Sequence, residues 1–314
     1  DITRDGVVPK SLVTSSSHYH RQAHGIVPAN GVRIHVAGVD LVRDEQGTFH
    51  VLEDNLRCPS GVSYVLENRR TLAHVVPEVF TGYRVSPVTE YPERLYRALA
   101  AAAPRDVHDP TVVVLTPGVY NSAHFEHAFL ARRMGAELVE GRDLFCRGGF
   151  VYMRTTQGPQ PVHVIYRRLD DEYLDPVQFH ADSVLGVPGL LNAARAGAVT
   201  IANGVGNGVA DDKALYPYVP KIIEYYLGEK AILPNVPTHD LRDPEVRAHV
   251  LERLDKMVIK PVDGSGGYGL VIGPKATDAE LAEVAEAIKA DPRSWIAQPV
   301  VTLSTSPTVG TGGA

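Results

Sequence analysis

Apolar positions recur along the chain in two spacings, one typical of strands and one typical of helices. Alternation between residues 32 and 36, and again from 49 to 51 after the polar pair Gln46-Gly47, predicts a β-hairpin over residues 31–55. Apolar residues three and four positions apart predict helices over 61–80, 87–99 and 278–290. The chain is therefore expected to mix helices and sheets.

A continuous apolar run, VVVLTPG at 112–118, is typical of a buried parallel strand that ends at Pro-Gly. Asn121 or Ser122 is expected to cap the helix that follows, and residues 137–139 are expected to form the next strand. Together these segments predict one β-α-β unit. Further strands are predicted at 149–155 and 161–168, joined by a turn at QGPQ.

Composition and charge narrow the class of protein. The chain has 314 residues, enough for about two domains, and its apolar runs fall short of a membrane span. Its net charge of −6 supplies no positive field for nucleic acid or anionic lipid. Cys58 and Cys146 form no CxxC pair, which excludes a thiolate zinc site and a disulfide framework. A cytoplasmic enzyme or binding protein is expected, bound to neither nucleic acid nor membrane.

A glycine-rich loop follows a short apolar strand near the C-terminal end. Lys260 ends that strand, and four glycines between Gly264 and Gly269 separate it from a second apolar run at 270–272. The missing GK[ST] sequence excludes a P-loop, and the strand that follows excludes a dinucleotide-binding turn. Two readings remain. The loop is either a β-hairpin whose N–H groups fold over a phosphate beside Lys260, or a surface hairpin whose glycines serve turn geometry alone.

Acidic and amide side chains share one face of the first predicted hairpin. Glu53 and Asn55 are two residues apart in its second strand, and a two-residue turn at Gln46-Gly47 places Asp40 directly opposite Glu53. Two carboxylates so close repel each other unless a cation lies between them, and Mg²⁺ prefers oxygen ligands of this kind. The alternative is an exposed strand face that carries several acids.

These two motifs together resemble those of the ATP-grasp superfamily of carboxylate–amine ligases. Lys260 with GSGGYG is similar to the nucleotide motif, and Asp40 with LEDN, in a D-x12-E-x-N pattern, is similar to the magnesium motif. Their order is reversed, so the chain resembles the circularly permuted ATP-grasp family related to glutathionylspermidine synthase, over essentially all 314 residues. Members of that family are longer, so we expect the native protein to extend beyond both ends of this chain.

The resemblance implies an α/β ATP-grasp fold in three consecutive parts. Residues 1–105 are expected to form the permuted metal-binding part, and residues 106–200 a Rossmann-like substrate-binding portion. Residues 201–314 are expected to form the nucleotide-binding part, with the glycine flap and the hinge strand.

The resemblance also implies ATP and Mg²⁺ as cofactors. The residues implied to bind ATP are Lys213, Lys260, Gly264, Ser265, Gly266, Gly267, Tyr268, Gly269 and Gln298. Those implied to bind the metal are Asp40, Glu53 and Asn55. Lys260 and Arg57 are the candidate catalytic cations, since Arg can hold phosphate oxygens bidentately. Many ATP-grasp ligases carry an Arg two residues before the metal Asp; this chain has Gly38 there, which leaves Arg33, Arg43 and Arg57 as candidates to replace it.

Five further residues are candidates for substrate binding: Asn121, His124, Glu126, Arg167 and Arg168. His124 and Glu126 are expected at a βα turn, where α/β sheets usually bind ligands. Arg167 and Arg168 end a predicted strand and suit an acidic substrate, with an exposed charge pair as the alternative.

The function that the resemblance implies is an ATP- and Mg²⁺-dependent ligase, which joins a small-molecule carboxylate to an amine or peptide through an acyl phosphate. The alternatives are a nucleotide-binding protein without ligase activity, acting as a scaffold or regulator, and a small-molecule kinase. The sequence identifies neither the two substrates nor the oligomeric state.

Overall fold

The structure is a computed structural model that describes residues 1–264 and 266–306, so Ser265 and the Gly-rich end of the chain lie outside the described residues. The chain forms two compact units, each assembled from separate stretches of sequence. The first unit comprises residues 1–19, 39–55 and the chain from Gly208 onward. The second unit comprises His20–Gly38 and Leu56–Asn207.

Strands and helices alternate along the described residues. The strands are, in chain order, β1 (Gly38–Arg43), β2 (Phe49–Asn55), β3 (Val112–Leu115), β4 (Glu137–Val139), β5 (Leu144–Arg147), β6 (Phe150–Thr155), β7 (Gly158–Val162), β8 (Val164–Arg167), β9 (Thr200–Ala202), β10 (His239–Asp240), β11 (Met257–Pro261), β12 (Val271–Ile272) and β13 (Trp295–Pro299). The helices are α1 (Lys10–Thr14), α2 (Val62–Val75), α3 (Pro77–Gly82), α4 (Tyr91–Ala100), α5 (His124–Met134), α6 (Leu190–Arg195), α7 (Val219–Leu227), α8 (Pro244–Leu251) and α9 (Asp278–Ala290). No helix in this part of the chain has both the length and the apolar character to cross a membrane.

The units do not coincide with the three consecutive parts expected from the sequence. The predicted first part, residues 1–105, is divided between them, since the β1–β2 hairpin belongs to the first unit and α2 to α4 belong to the second. The spacing of apolar residues along the sequence indicates only the local conformation of each element. Which elements share a core is decided by contacts between residues far apart in sequence, and these leave no local pattern.

An antiparallel sheet in the order β10-β13-β11-β12 forms the body of the first unit. Its apolar core includes Ile259 of β11, Ala297 of β13, Val250 of α8 and Ile288 of α9. Because side chains alternate between the faces of a strand, Lys260 lies on the opposite face from Ile259 and away from this core. Ile296, directly opposite Lys260 in β13, packs in a second apolar cluster with Leu12 and Ala214, so part of the lysine's face is also covered.

A parallel sheet in the order β4-β3-β8-β9 forms the body of the second unit. All four residues of β3 and of β8 are buried, as expected for parallel strands covered on both faces. Helix α5 connects β3 to β4 on one side, whereas β8 pairs with β3 on the other. The predicted β-α-β unit is confirmed, and the strand order reverses at β3, the kind of point beside which α/β sheets bind ligands.

Two predicted strands differ in the structure. Residues 32–36 alternate as a strand does but form none, because the Asn203 side chain bonds their backbone: its Oδ1 accepts from the N–H groups of His35 and Val36, at 2.7 and 3.0 Å. The segments at 149–155 and 161–168 are not joined at QGPQ. Gln157 lies in the turn after β6 and Gly158 begins β7, which pairs with β6, while β8 joins the parallel sheet.

Candidate functional site

The glycine loop is a hairpin between β11 and β12, as expected. The two strands pair antiparallel, with Ile259 opposite Val271. Gly266, Gly267 and Gly269 have φ angles of 64°, 79° and 72°, a region that side chains other than glycine rarely adopt. A Cβ at Gly264 would lie 2.8 Å from Pro261 Cγ. These positions favour glycine, so no side chain of their own shields their backbone N–H groups. Tyr268 is 84% exposed at the tip.

Lys260 lies at the base of the glycine hairpin, next to the carboxylates of the other motif. Burial lowers the pKa of its ammonium group, and the charge of Lys213 lowers that pKa further. The negative charges of Glu53 and Asp40 act in the opposite direction and raise the pKa of Lys260. The charged form of a buried cation that is only partly compensated is stabilised when a further anion enters the site.

Lys213 connects the glycine hairpin to the carboxylates. Its Nζ donates to the carbonyl oxygen of Gly264 at 2.6 Å and lies 3.6 Å from Glu53 Oε2. The Lys213 side chain is 11% exposed and that of Glu53 is 22% exposed, so the pair is largely shielded from water. The Lys213 backbone N–H also donates to Val262 O at 3.0 Å, which ties its segment to the end of β11.

The residue before Lys213 holds its segment in place. Asp212 caps the short 3-10 helix Lys213–Tyr218, with its side chain accepting from Ala214 N. The same carboxylate accepts from Arg293 Nη2 at 2.6 Å. Sequence reasoning missed this pair. The capping Asp next to Lys213 is a signal that could have been found, whereas Arg293 lies 81 positions from Asp212 and carries none.

The β1–β2 hairpin turns differently from the predicted two-residue turn. Asp44 N donates to Thr48 O at 2.9 Å, and Gly47 N donates to Asp44 O at 3.0 Å. With Gly47 at a φ of 85°, the loop has three residues and not two, so the predicted pairing of Glu45 with Thr48 is wrong.

The three candidate metal ligands nevertheless lie together in the first unit. The pKa of Asp40 is raised by burial, by the charge of Glu53 and by a side-chain hydrogen bond between these two carboxyls. A hydrogen bond from Asn55 and the charge of Lys213 act in the opposite direction. The contact between Asp40 and Glu53 agrees with the expectation from the sequence, although the turn that produces it does not.

This donor set fits a hard divalent cation. No group of three or more His, Cys, Asp or Glu side chains suited to a metal occurs among the described residues, but here one ligand is an amide. Two carboxylates and an amide offer only oxygen ligands, which Mg²⁺ prefers. The mutual repulsion that raises the pKa of Asp40 would be relieved by a cation between the carboxylates.

Glu53, Lys213 and Lys260 line one cavity of about 140 Å³ together with Gly264, Gly266, Gly267 and Tyr268. Gln298 is not among the lining residues: its side chain is buried in β13 and donates to Thr238 Oγ1 at 2.9 Å. A backbone contact between the Gln298 segment and adenine stays a prediction, as does any role for Ser265.

In the second unit, Glu126 is a buried helix cap. Its Oε2 accepts from Gly61 N at 2.7 Å, from Ser63 N at 3.0 Å and from Ser63 Oγ at 2.8 Å, at the start of α2. His124 is the first residue of α5, at the turn between β3 and that helix, as predicted. Asn121 accepts from Ala123 N at 2.9 Å, so it bonds the residue before the helix. Contact of these three side chains with substrate stays a prediction.

Arg167 and Arg168 are buried, so the alternative of an exposed charge pair is wrong. Arg167 is 0% exposed, donates to Asn203 O and Leu169 O at 2.8 Å each, and lies 2.7 Å from Asp171. Arg168 donates to Ser60 Oγ at 2.5 Å, while its Nε has no hydrogen-bond partner.

Arg57, the candidate catalytic cation, lies in the second unit. Its Nη1 donates to Asp170 Oδ1 at 3.4 Å, and the side chain is 21% exposed. This contact is long for an ion pair at the surface and contributes little to stability. The role of Arg57 at a phosphate stays a prediction.

The fold and the cavity of the first unit together define the class of protein. Over residues 1–298 the chain matches the family described as a circularly permuted ATP-grasp. The solved structure of a glutathione synthetase-like effector from Globodera pallida is similar in fold, with a TM-score of 0.53 and 11% identity over 96% of this chain and 67% of that one. The protein has an ATP-grasp fold.

The chain belongs to the circularly permuted ATP-grasp family, as its motif order indicated. It is 64% identical over 308 residues to an uncharacterized protein of Mycobacterium tuberculosis, covering 98% of this chain and 56% of that protein. It is 46% identical over 306 residues to a Frankia casuarinae protein named "Putative glutamate--cysteine ligase 2-2", covering 97% of this chain and 35% of that protein. The chain thus spans about half the length of the first of these relatives.

Proposed function

We propose that the protein is an ATP- and Mg²⁺-dependent ligase that joins a carboxylate to an amine through an acyl phosphate. The observation that carries the proposal is the convergence of Lys213, Lys260 and Glu53 with the glycine hairpin around one cavity of the first unit. Membership of the ATP-grasp family and a relative named as a ligase support it.

The lysines and the glycine hairpin are proposed to hold the phosphates of ATP. Burial, followed by the charge of Lys213, lowers the pKa of Lys260 while Glu53 and Asp40 raise it, and this buried cation would be stabilised by further negative charge. A triphosphate would supply that charge, and the backbone N–H groups around Gly266 and Gly267 can donate to its oxygens. The hydrogen bond from Lys213 to Gly264 O already holds the loop beside the lysine.

Asp40, Glu53 and Asn55 are proposed to hold the magnesium ion. When bound, it would neutralise charge on the phosphate oxygens during transfer. Glu53 also compensates Lys213, at 3.6 Å, so it connects the proposed metal and phosphate halves of the site.

The proposed reaction needs no protein nucleophile. A substrate carboxylate oxygen attacks the γ-phosphorus, and the bond to ADP breaks as the acyl phosphate forms. The amine nitrogen then attacks the acyl carbon and loses its proton, and inorganic phosphate leaves. Both steps depend on positioning and on neutralising anionic oxygens, which lysines can do.

The substrates are proposed to be amino acids or amino-acid derivatives. The support is the name of the Frankia relative, which includes both glutamate and cysteine. In the second unit, Asn121 and His124 follow the carboxyl end of β3, and α/β sheets usually bind ligands outside the carboxyl ends of their strands. Arg57 remains the proposed cation for the transferred group.

The test has two stages. Isothermal titration calorimetry with ATP, with and without Mg²⁺, should show binding that strengthens with the metal; absence of binding contradicts the proposal. ADP release is then measured with a mixture of amino acids, followed by mass spectrometry. Release that requires both a carboxylate and an amine supports a ligase. A stable phosphorylated product indicates a kinase, and binding without turnover indicates a regulatory protein.

A further inference from the structure

The second unit contains a cavity of about 410 Å³ that has no part in the proposed ligase site. Its size falls within the range of about 300–1,000 Å³ that is usual for small-molecule sites. One wall is a single face of α2, because Leu66, Arg69, Arg70, Ala73 and His74 follow the i, i+3, i+4, i+7, i+8 spacing. A helix face of this kind normally packs against a core; here it faces open space.

The floor of the cavity is apolar. Leu66 is buried, and Phe80 of α3, Val88 and Pro92 complete the lining beneath it. Arg69 Nη1 donates to Ser86 O at 3.2 Å, which holds the segment between α3 and α4 next to α2. The cavity is therefore lined by residues of α2, α3, α4 and α5 and by the segment between α3 and α4.

The charged side chains around this floor are positive. Arg69, Arg70 and Arg133 all line the cavity, and no acidic residue does so within the described part of the chain. Arg70 is compensated by Glu67 at 2.7 Å, whose carboxyl has a pKa lowered chiefly by that hydrogen bond. Neither Arg69 nor Arg133 has an ion-pair partner among the described residues. The Arg133 guanidinium lies over the Phe129 ring at 5.3 Å.

We propose that this cavity binds a small amphipathic anion, with an apolar body on the floor and one carboxylate at Arg69 and Arg133. The apolar floor favours transfer of hydrocarbon from water, and the uncompensated arginines select a negative head group. A neutral molecule of the same shape would leave both guanidinium groups without an anion. A cation would be repelled by Arg69 and Arg133.

The test uses 8-anilinonaphthalene-1-sulfonate as a fluorescent probe of the whole chain, displaced by octanoate, octanol or octylamine. Octanoate should displace the probe at a concentration about tenfold lower than octanol, and octylamine should not displace it. Equal displacement by octanoate and octanol overturns the proposal, because the arginines would then contribute nothing.

Variants locate the site. Arg133→Gln should weaken octanoate several-fold and leave octanol unchanged, whereas Arg132→Gln, the adjacent arginine outside the lining, should change neither. Ala73→Phe fills the cavity from an exposed position and should abolish displaceable probe binding, with circular dichroism to confirm folding. Undiminished probe binding in folded Ala73→Phe places the probe elsewhere and overturns the proposal. Lys260→Ala should leave octanoate binding intact, so failure of the ligase proposal is distinguishable from failure of this one.

Discussion

The two units hold their charged side chains in opposite ways. In the first unit, Lys213, Lys260 and Glu53 line an open cavity, and the pKa of Lys260 is lowered by burial and by its neighbour. In the second unit, Arg167 and Asp171 are 0% and 1% exposed and form an ion pair at 2.7 Å, and backbone carbonyl oxygens accept hydrogen bonds from the Arg167 guanidinium. The first group lines a cavity that a charged ligand can enter, while the second is closed to solvent.

This difference shows that charge alone does not identify a ligand site. When the partners of a buried charge all come from the fold, removing that charge leaves an uncompensated charge in the interior and destabilises the protein. A charge beside a cavity that is only partly compensated can exchange its partners for those of a ligand. Arg167 and Lys260 are both cations near strand ends, yet Arg167 is buried with partners from the fold, whereas Lys260 lines a cavity.

The largest effect is expected when the buried ion pair between Arg167 and Asp171 is broken. Arg167→Met should lower the free energy of unfolding by about 3–5 kcal/mol, because Asp171 then loses its cation inside the protein. Chemical denaturation checks this, and Arg142→Met, at an exposed arginine, is the control. A loss no greater than that of the control would show that the second unit does not depend on this pair.

A smaller but more selective effect is expected in the first unit. Lys260→Ala should weaken ATP binding roughly a hundredfold, whereas Glu53→Gln should mainly remove metal-dependent turnover. Calorimetry and ADP release separate the two effects. Lys256→Ala, an exposed lysine near the start of β11, should change neither. Equal loss of ATP binding in both site variants would contradict the division between phosphate and metal ligands.

A substitution at Glu126 tests whether its carboxylate stabilises the fold or binds substrate. Glu126→Gln keeps the shape but weakens the bonds to Gly61 and Ser63, so the free energy of unfolding should fall by about 1–2 kcal/mol. Thermal unfolding measures this. If stability is unchanged while the KM for a carboxylate substrate rises, Glu126 binds substrate and the cap is secondary.

The last expected effect is a pH dependence of stability, which is small over any single pH unit. The pKa of His127 is lowered to about 3, chiefly by burial and also by the charges of Arg168 and His124. The unfolded chain binds a proton on this group from about pH 6.5 downward while the folded chain does not. Stability should therefore fall with decreasing pH between about 6.5 and 3, by about 1 kcal/mol per pH unit.

Denaturation at several pH values checks this slope. His127→Gln should make it shallower, whereas His74→Gln, at an exposed position on α2, should leave it unchanged. An identical slope in the His127 variant would mean that other groups carry the acid sensitivity.

Much of the candidate site could be predicted because its residues occur in short sequence motifs. Hairpin glycines, Lys260 and the Asp40, Glu53 and Asn55 set are each recognisable within a few residues, and the family match confirms the fold that they imply. The Asp212–Arg293 pair was missed because it joins residues far apart in sequence. Residues 32–36 were predicted as a strand because alternation does not show that Asn203 bonds their backbone.

The sequence by itself determined the local elements, the glycine hairpin and the permuted order of the motifs, since each depends on neighbouring residues and their periodicity. Only the tertiary structure decided which charges are available. It buried Arg167, Arg168 and Glu126 among partners from distant segments and left Lys213 and Lys260 beside a cavity. The physical reason is that burial and charge compensation depend on contacts in space, which the order of residues along the chain does not express.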